Sequence, residues 1–278
     1  MTTFRFRGVY PAMCTPFDDD GSIDFETLRR DARRLEAAGV DGLVPCGSTG
    51  ESATMSHDEH IEVIEAVVDA VEDVPVIAGS GSNNTREALS LSRRSAEAGA
   101  DALLLISPYY NRPEQRGFVD HYERIADEVD LPQIVYNVPS RTGQNIQPRT
   151  VETLAEHPNV QGYKAASGDM GQISEIISVA ANVEPERTCA MVGAALAEDF
   201  ERARAIHHRL GPLFRGLFVE TNPIPVKEAM QIRGYGPARV RSPLTRLSEE
   251  YRDELRTILD DLEAEPFDYE DEHAERER

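Results

Sequence analysis

Short apolar runs recur about every 30 residues along most of the chain, and this spacing constrains the fold more than any other feature. The runs are rich in Val, Ile and Leu without strict polar alternation, a pattern typical of strands buried on both faces. Segments of helical period lie between them, which predicts a parallel α/β sheet. The predicted strands are 8–13, 40–44, 74–78, 101–106, 132–137 and 160–164, and the helices between them are 25–38, 57–71, 85–98, 118–128 and 148–157.

The regular units favour a closed (β/α)₈ barrel over an open sheet, because no Gly-rich nucleotide motif or P-loop is present. The spacing fails once. A step of about 30 residues from the strand at 160–164 places the next strand near residue 190. The next strand-like run is instead 176–180. Helical patterns then cover 185–196, 199–210, 225–232 and 247–262. The count predicts seven strands and one missing βα unit. We expect a barrel over 1–210 with the deletion near 176–178, a C-terminal helical region over 211–264 and an acidic tail over 265–278.

The charge balance restricts the partners. Fifty acidic residues against 29 basic ones give a formal charge of −21. Such a field repels nucleic acid and anionic membranes, so neither is expected as a partner. An acid-rich, Lys-poor surface suits high salt, and we hypothesise a salt-adapted protein, with an ordinary acidic enzyme as the alternative. The absence of a long apolar run or signal-peptide pattern predicts a cytoplasmic location. Three widely spaced cysteines argue against disulfides and a zinc site.

The sixth predicted strand ends in a lysine. The chain has 27 Arg but only two Lys, Lys164 and Lys227. A Lys that closes an apolar strand of a barrel lies where reactive side chains gather, and desolvation there makes its amine available for a Schiff base with a carbonyl substrate. The alternative is a strand-end lysine that reaches solvent. Lys227 opens a predicted helix and is interpreted as structural.

Three other strand ends carry suitable partners. The loop 46–52 offers backbone N–H groups and the hydroxyls of Ser48 and Thr49 to a carboxylate, unless it is a plain Gly-rich turn. The loop 107–113 carries Tyr109 and Tyr110, which fit either a phenol relay or interface packing. Tyr136 can shuttle protons, and Arg141, on the segment that follows it, offers a fork for a substrate carboxylate, unless both are structural. Such a relay needs no metal and no organic cofactor.

Four motifs together resemble the dihydrodipicolinate synthase / N-acetylneuraminate lyase family, with the synthase pattern. They are Gly47-Ser48-Thr49-Gly50-Glu51-Ser52-Ala53-Thr54, Pro108-Tyr109-Tyr110-Asn111-Arg112-Pro113, Tyr136-Asn137-Val138-Pro139-Ser140-Arg141-Thr142-Gly143 and Asn222-Pro223-Ile224-Pro225-Val226-Lys227. The resemblance implies a TIM (β/α)₈ barrel with a C-terminal helical extension, assembled as a homotetramer or homodimer. It implies a lyase that condenses pyruvate with aspartate 4-semialdehyde in lysine and diaminopimelate synthesis.

The resemblance also implies a role for individual residues. Lys164 matches the Schiff-base lysine, Tyr136 the proton-transferring tyrosine, and Ser48 the position of a relay threonine. Tyr110 matches a relay tyrosine lent across a subunit interface. Substrate contacts are implied for Thr49, Arg141 and the backbone of Ile177. A lysine feedback site in some members corresponds to Ser52, Ala53, His57, His60, Asn83, Glu87 and Tyr109.

Two departures leave alternatives open. The family carries Glu after its lysine, whereas Ala165 stands here, and the family's seventh strand and following helix have no counterpart between residues 172 and 181. A barrel cannot lose a strand without a gap or a new closure. One alternative to the synthase is therefore a catalytically impaired deletion variant. A second is a 2-keto-3-deoxy sugar-acid aldolase of the same family, because such aldolases share the lysine and the tyrosine.

Overall fold

The computed structural model describes residues 6–166, 176–264 and 267. Most of the predicted acidic tail and the segment 167–175 lie outside the described residues. Within the described ranges the strands are β1 Val9–Pro11, β2 Ile77–Gly79, β3 Ala102–Ile106, β4 Gln133–Asn137, β5 Val160–Ala165 and β6 Ile176–Ser178. The helices are α1 Phe25–Ala37, α2 His57–Val68, α3 Thr85–Glu97, α4 Gln115–Glu128, α5 Pro139–Thr142, α6 Pro148–Leu154, α7 Pro185–Leu196, α8 Phe200–Gly216, α9 Ile224–Ile232 and α10 Glu249–Ala264.

All strand pairs are parallel, as the strand–helix alternation predicted. One ladder runs β2-β3-β4-β5 and a second joins β1 to β6. The segment at residues 43–44 links the two, since Val44 bridges Ala12 and Leu43 bridges Val76. The predicted strand at 40–44 is therefore reduced to two bridges. Pro45, which lacks an N–H, follows directly, and a proline cannot donate to a ladder.

The core has two layers around the strands. Leu104, Ile134 and Tyr136 belong to a cluster inside the barrel, whereas Leu103 and Leu105 pack outward in the larger cluster beneath the helices. Strands with both faces buried do not need alternating polar residues, which explains the continuous apolar runs in the sequence.

Helices α1, α2 and α3 begin at their predicted first residues, and their ends carry local stop and start signals. Ser56 and Glu59 form a capping box at the start of α2. Gly39 and Gly99 follow α1 and α3 with φ of 79° and 92°, the left-handed conformation that favours glycine. Helix α8 is longer than predicted, because it runs through Pro212 and ends only at Gly216. None of the helices in the described ranges is long and apolar enough to cross a bilayer.

Helices α7 to α10 pack on a second cluster that includes Leu210, Leu213, Val226 and Leu259. Charged contacts join these helices to one another: Arg233, directly after α9, binds Glu184 just before α7 and, 2.8 Å away, Glu263 of α10. These helices therefore form one C-terminal layer, in which α7 packs against β1.

The sheet does not close between β5 and β6 in the described part of the chain. Strand β5 pairs with β4, and β6 pairs with β1. All six residues of β5 are half-buried, whereas β3 and β4 are almost entirely buried. This open position is the one where the sequence predicts the missing βα unit.

Candidate active site

A cavity of about 760 Å³ opens at the carboxyl ends of the strands. It is lined by six of the seven residues predicted to act in catalysis or substrate binding. They are Ser48, Thr49, Tyr136, Arg141, Lys164 and Ile177. Tyr136, Lys164 and Ile177 lie on strands, and the other three lie on segments that follow strands. They meet in one place because parallel strands present their carboxyl ends on the same side of the barrel.

Lys164 lies one residue before the end of β5 and is the register partner of Tyr136 on β4. Its Nζ is 4.1 Å from the centre of the Tyr136 ring. Burial and, to a smaller extent, the nearby charge of Arg141 together lower the pKa of the Lys164 amine to about 8. A neutral amine is the nucleophile in imine formation, so this environment favours attack on a carbonyl carbon.

The Tyr136 side chain is 8% exposed. Burial raises the pKa of its phenol, while Arg141 and a side-chain hydrogen bond with Ser48 act in the opposite direction. The phenol therefore stays protonated near neutral pH and can give its proton to a group beside Lys164. The hydroxyl of Ser48 is the neighbour from which the proton can be replaced.

Hydrogen bonds from three other segments fix the loop that carries Ser48 and Thr49. Thr15 donates a hydrogen bond of 2.7 Å to the carbonyl of Gly50, and the backbone N–H of Arg241 donates to Glu51 Oε2 at 2.9 Å. The buried amine of Lys227 donates to Glu51 Oε1. Lys227 thus has the structural role that the sequence indicated. Glu51 has a φ of 56°, a left-handed conformation that this set of bonds maintains.

Close approach of the next strand also fixes the loop. A Cβ atom on Gly79, at the end of β2, would lie 2.3 Å from the carbonyl oxygen of Cys46. Only glycine allows the backbone of β2 to pass so close to the start of the loop.

Asn222 is a site residue that the sequence did not single out. Its side-chain N–H donates to Thr49 Oγ1 at 2.9 Å, and its backbone carbonyl accepts from Arg141 Nη2 at 3.1 Å. The only signal in the sequence was its place in the Asn222–Lys227 motif. Its contacts depend on a chain separation of 173 residues to Thr49, which no local pattern reveals.

Tyr110 does not reach this cavity in the single chain. Its side chain is 88% exposed, with a φ of 67°, and it is not among the residues that line the cavity. The neighbouring Asn111 fixes the loop by donating to the carbonyl of Asn83 at 2.7 Å.

A second cavity of about 410 Å³ lies beside the first, and Ser48, Arg141 and Asn222 line both. It contains six of the seven residues of the predicted feedback site: Ser52, Ala53, His57, His60, Glu87 and Tyr109. Asn83 is not in its lining. His60 is buried, and its Nε2–H donates to the carbonyl of Gly79 at 2.5 Å. Burial lowers the pKa of His60, so it is a neutral donor near pH 7.

The model of the dihydrodipicolinate synthetase family matches residues 5–177 and 173–262. The chain belongs to this family. A 4-hydroxy-tetrahydrodipicolinate synthase of the halophilic archaeon Haloarcula marismortui is 71% identical, with all of both chains covered. The dihydrodipicolinate synthase of Acinetobacter baumannii, solved with pyruvate, has a TM-score of 0.91 at 36% identity and covers 93% of this chain and 99% of its own. The enzyme from Cyanidioschyzon merolae, solved with lysine, has a TM-score of 0.88 at 34% identity, with 93% and 98% covered.

The comparisons also locate a gap. The two family matches meet at residues 173–177, the place of the predicted deletion. The alignment with the Haloarcula protein spans 308 positions, whereas this chain has 278 residues, so about 30 positions have no residue here. That length equals one βα unit of the barrel, as judged from the spacing of the strands.

Proposed function

We propose that this chain is a class I lyase that condenses pyruvate with aspartate 4-semialdehyde to 4-hydroxy-tetrahydrodipicolinate. The observation that carries the proposal is the position of Lys164: its amine, with a pKa of about 8, lies against Tyr136 in a cavity that also holds Ser48, Thr49 and Arg141. The names of the similar enzymes support the same reaction.

Each of these residues has its own role in the reaction. The neutral Lys164 amine attacks the ketone carbon of pyruvate, and one water leaves as the imine forms. Tyr136 exchanges protons with the reacting oxygen and carbon, and Ser48 relays them. The enamine carbon then attacks the aldehyde carbon of the semialdehyde, whose carboxylate Arg141 receives. Attack of the semialdehyde amine on the imine carbon closes the ring and releases Lys164.

Borohydride trapping tests the Schiff base directly. Reduction in the presence of pyruvate is expected to leave a stable adduct on Lys164. Lys227, the only other lysine, is an internal control in the same peptide map. Its amine is almost fully buried and is bound to Glu51 and to the backbone carbonyl of Arg239, out of reach of pyruvate, so Lys227 should stay unmodified. An unmodified Lys164, with folded protein in high salt, would refute Schiff-base chemistry.

The aldehyde partner separates two members of the family. Once the pyruvate adduct is established, turnover of aspartate 4-semialdehyde supports the synthase. Faster cleavage of 2-keto-3-deoxygluconate would assign the chain to the sugar-acid aldolases instead.

A catalytically impaired deletion variant is the second candidate, and the open position between β5 and β6 favours it. Lys164 lies on the strand at that edge, so any loosening of β5 disturbs the nucleophile. A cooperative melt in high salt, followed by a turnover assay, distinguishes the two. A folded protein that traps pyruvate but does not turn over would be the impaired form.

We further propose that the second cavity binds lysine as a feedback inhibitor. The Glu87 carboxylate and neutral His60 are groups that can receive an amino acid there. Lysine should inhibit the wild type and should inhibit Glu87→Gln less. Equal inhibition of both would place lysine elsewhere.

The oligomeric state of the protein and its location in the cell are also part of the proposal. We propose a homodimer or homotetramer in a salt-rich cytoplasm, in which the exposed Tyr110 enters the cavity of a partner. Sedimentation in high salt measures the assembly. Tyr110→Phe should lower turnover if the partner's phenol relays protons, and unchanged turnover would remove Tyr110 from the relay.

A further inference from the structure

We propose that Asn222 is a positioning residue that makes Thr49 a hydrogen-bond donor to the pyruvate carboxylate. The inference rests on the proposed function. Asn222 and Thr49 are 7% and 3% exposed, and both line the larger cavity. Their side chains are joined by the 2.9 Å bond from Asn222 Nδ2 to Thr49 Oγ1.

The direction of this bond determines what Thr49 can do. An amide N–H only donates, so Thr49 Oγ1 is the acceptor and keeps its own hydrogen for another partner. Among the described residues that hydrogen has no protein acceptor. A carboxylate in the cavity supplies one, and a hydrogen bond to a charged group is stronger than a bond between neutral groups.

Asn222 also contacts Arg141, the residue predicted to bind the carboxylate of the semialdehyde. Its backbone carbonyl, not its side chain, accepts from Arg141 Nη2 at 3.1 Å. One residue therefore sets the separation between the pyruvate ligand Thr49 and the semialdehyde ligand Arg141. Because the two contacts use different atoms, replacing the side chain should weaken pyruvate binding and leave the Arg141 contact in place.

Asn222→Asp is the sharpest variant, because a carboxylate accepts and would draw the Thr49 hydrogen away from the substrate. We expect the pyruvate concentration that gives half-maximal borohydride trapping to rise about tenfold, and Asn222→Ser to give a smaller rise. The KM for aspartate 4-semialdehyde should change less than about twofold, because Arg141 keeps its backbone partner. If Asn222 had a purely structural role, its replacement would weaken the binding of pyruvate and of the semialdehyde together.

Thr49→Val provides the matched background. The effect of Asn222→Asp should fall to about threefold or less in that background, since there is no hydroxyl left to redirect. An equal effect in both backgrounds would mean that the new charge repels pyruvate directly, and it would overturn the inference. Unchanged trapping in Asn222→Asp or Asn222→Ser would overturn it too. Absence of trapping in the wild type would refute the proposed function itself, a result distinct from either.

Discussion

The amine of Lys164 lies 4.1 Å from the centre of the Tyr136 ring, and the two residues are register partners on adjacent parallel strands. Register partners point to the same face of a sheet, so the nucleophile and the proton carrier are placed together by the backbone. A ring face attracts an ammonium and favours its charged form. The pKa of Lys164 is nevertheless lowered to about 8, because burial and the charge of Arg141 disfavour the charged amine.

The pH dependence of pyruvate trapping follows from this pKa. The Lys164 amine is mostly protonated, and therefore not nucleophilic, below its pKa of about 8. The initial trapping rate should therefore rise with pH through a midpoint near 8 and level off roughly one pH unit above it. Arg141→Leu removes a cation that lowers the pKa of Lys164, so the midpoint should move to higher pH. Initial rates at saturating pyruvate, measured over the pH range for both proteins, check the shift. A midpoint that is unchanged in the variant would exclude Arg141 as a cause.

The buried pair of Lys227 and Glu51 should be necessary for stability. Both side chains are almost fully buried, and removal of one partner leaves an uncompensated charge. We expect Lys227→Met to lower the free energy of unfolding by about 3–5 kcal/mol, as measured by denaturation in high salt. Arg94→Met is the control, since it breaks an exposed pair with Asp58 and should cost less than about 1 kcal/mol.

The double variant Lys227→Met/Glu51→Leu tests the reason for that loss. If the cost comes from the unpaired carboxylate, removing both charges should restore part of the stability. A double variant no more stable than Lys227→Met would show that the bond from the backbone N–H of Arg241 to Glu51, which Glu51→Leu also removes, matters as much as the unpaired charge.

The features that could be predicted from the sequence are those set by a local pattern of residues, such as strand positions and the polar residues near strand ends. Strands β3 and β4 were located within a residue because their runs are apolar throughout, and Lys164 and Tyr136 were found because they end such runs. The predicted end of the helix at residue 210 was wrong, since packing of Leu213 in the C-terminal layer sustains α8 through Pro212. Asn222 could not be found from pattern alone, because its partners Thr49 and Arg141 are brought to it only by the folded barrel.

The open position beside β5 should be visible in amide hydrogen exchange. Strand β5 is half-buried and pairs with β4 in the described part of the chain, so its amides should exchange faster than those of β3, which lies between two strands. Exchange measured by mass spectrometry of peptides from both strands checks this. Equal protection of β5 and β3 would indicate that another segment or a second copy covers the edge in solution.

Insertion of the missing unit should reverse that exposure. The roughly 30 residues that the Haloarcula relative has and this chain lacks belong near residues 173–177, where the family matches meet. A chimaera that carries them is expected to protect β5 from exchange and to raise the thermal midpoint, because paired strand edges replace open ones. A scrambled insert of equal length is the control. Equal midpoints for both inserts would mean that the chain already closes its barrel in another way.

Salt should stabilise the fold through its surface charge. With 50 acidic and 29 basic residues, like charges repel across the folded surface, and the range of that repulsion shrinks from about 10 Å at 0.1 M salt to about 3 Å at 1 M. The free energy of unfolding should therefore rise with KCl. The cost of Lys227→Met should change little over the same series, because a buried pair is screened far less than surface charges. Chemical denaturation of both proteins at several KCl concentrations measures the two quantities together. A wild-type midpoint that does not respond to salt would reject salt adaptation and leave an ordinary acidic enzyme.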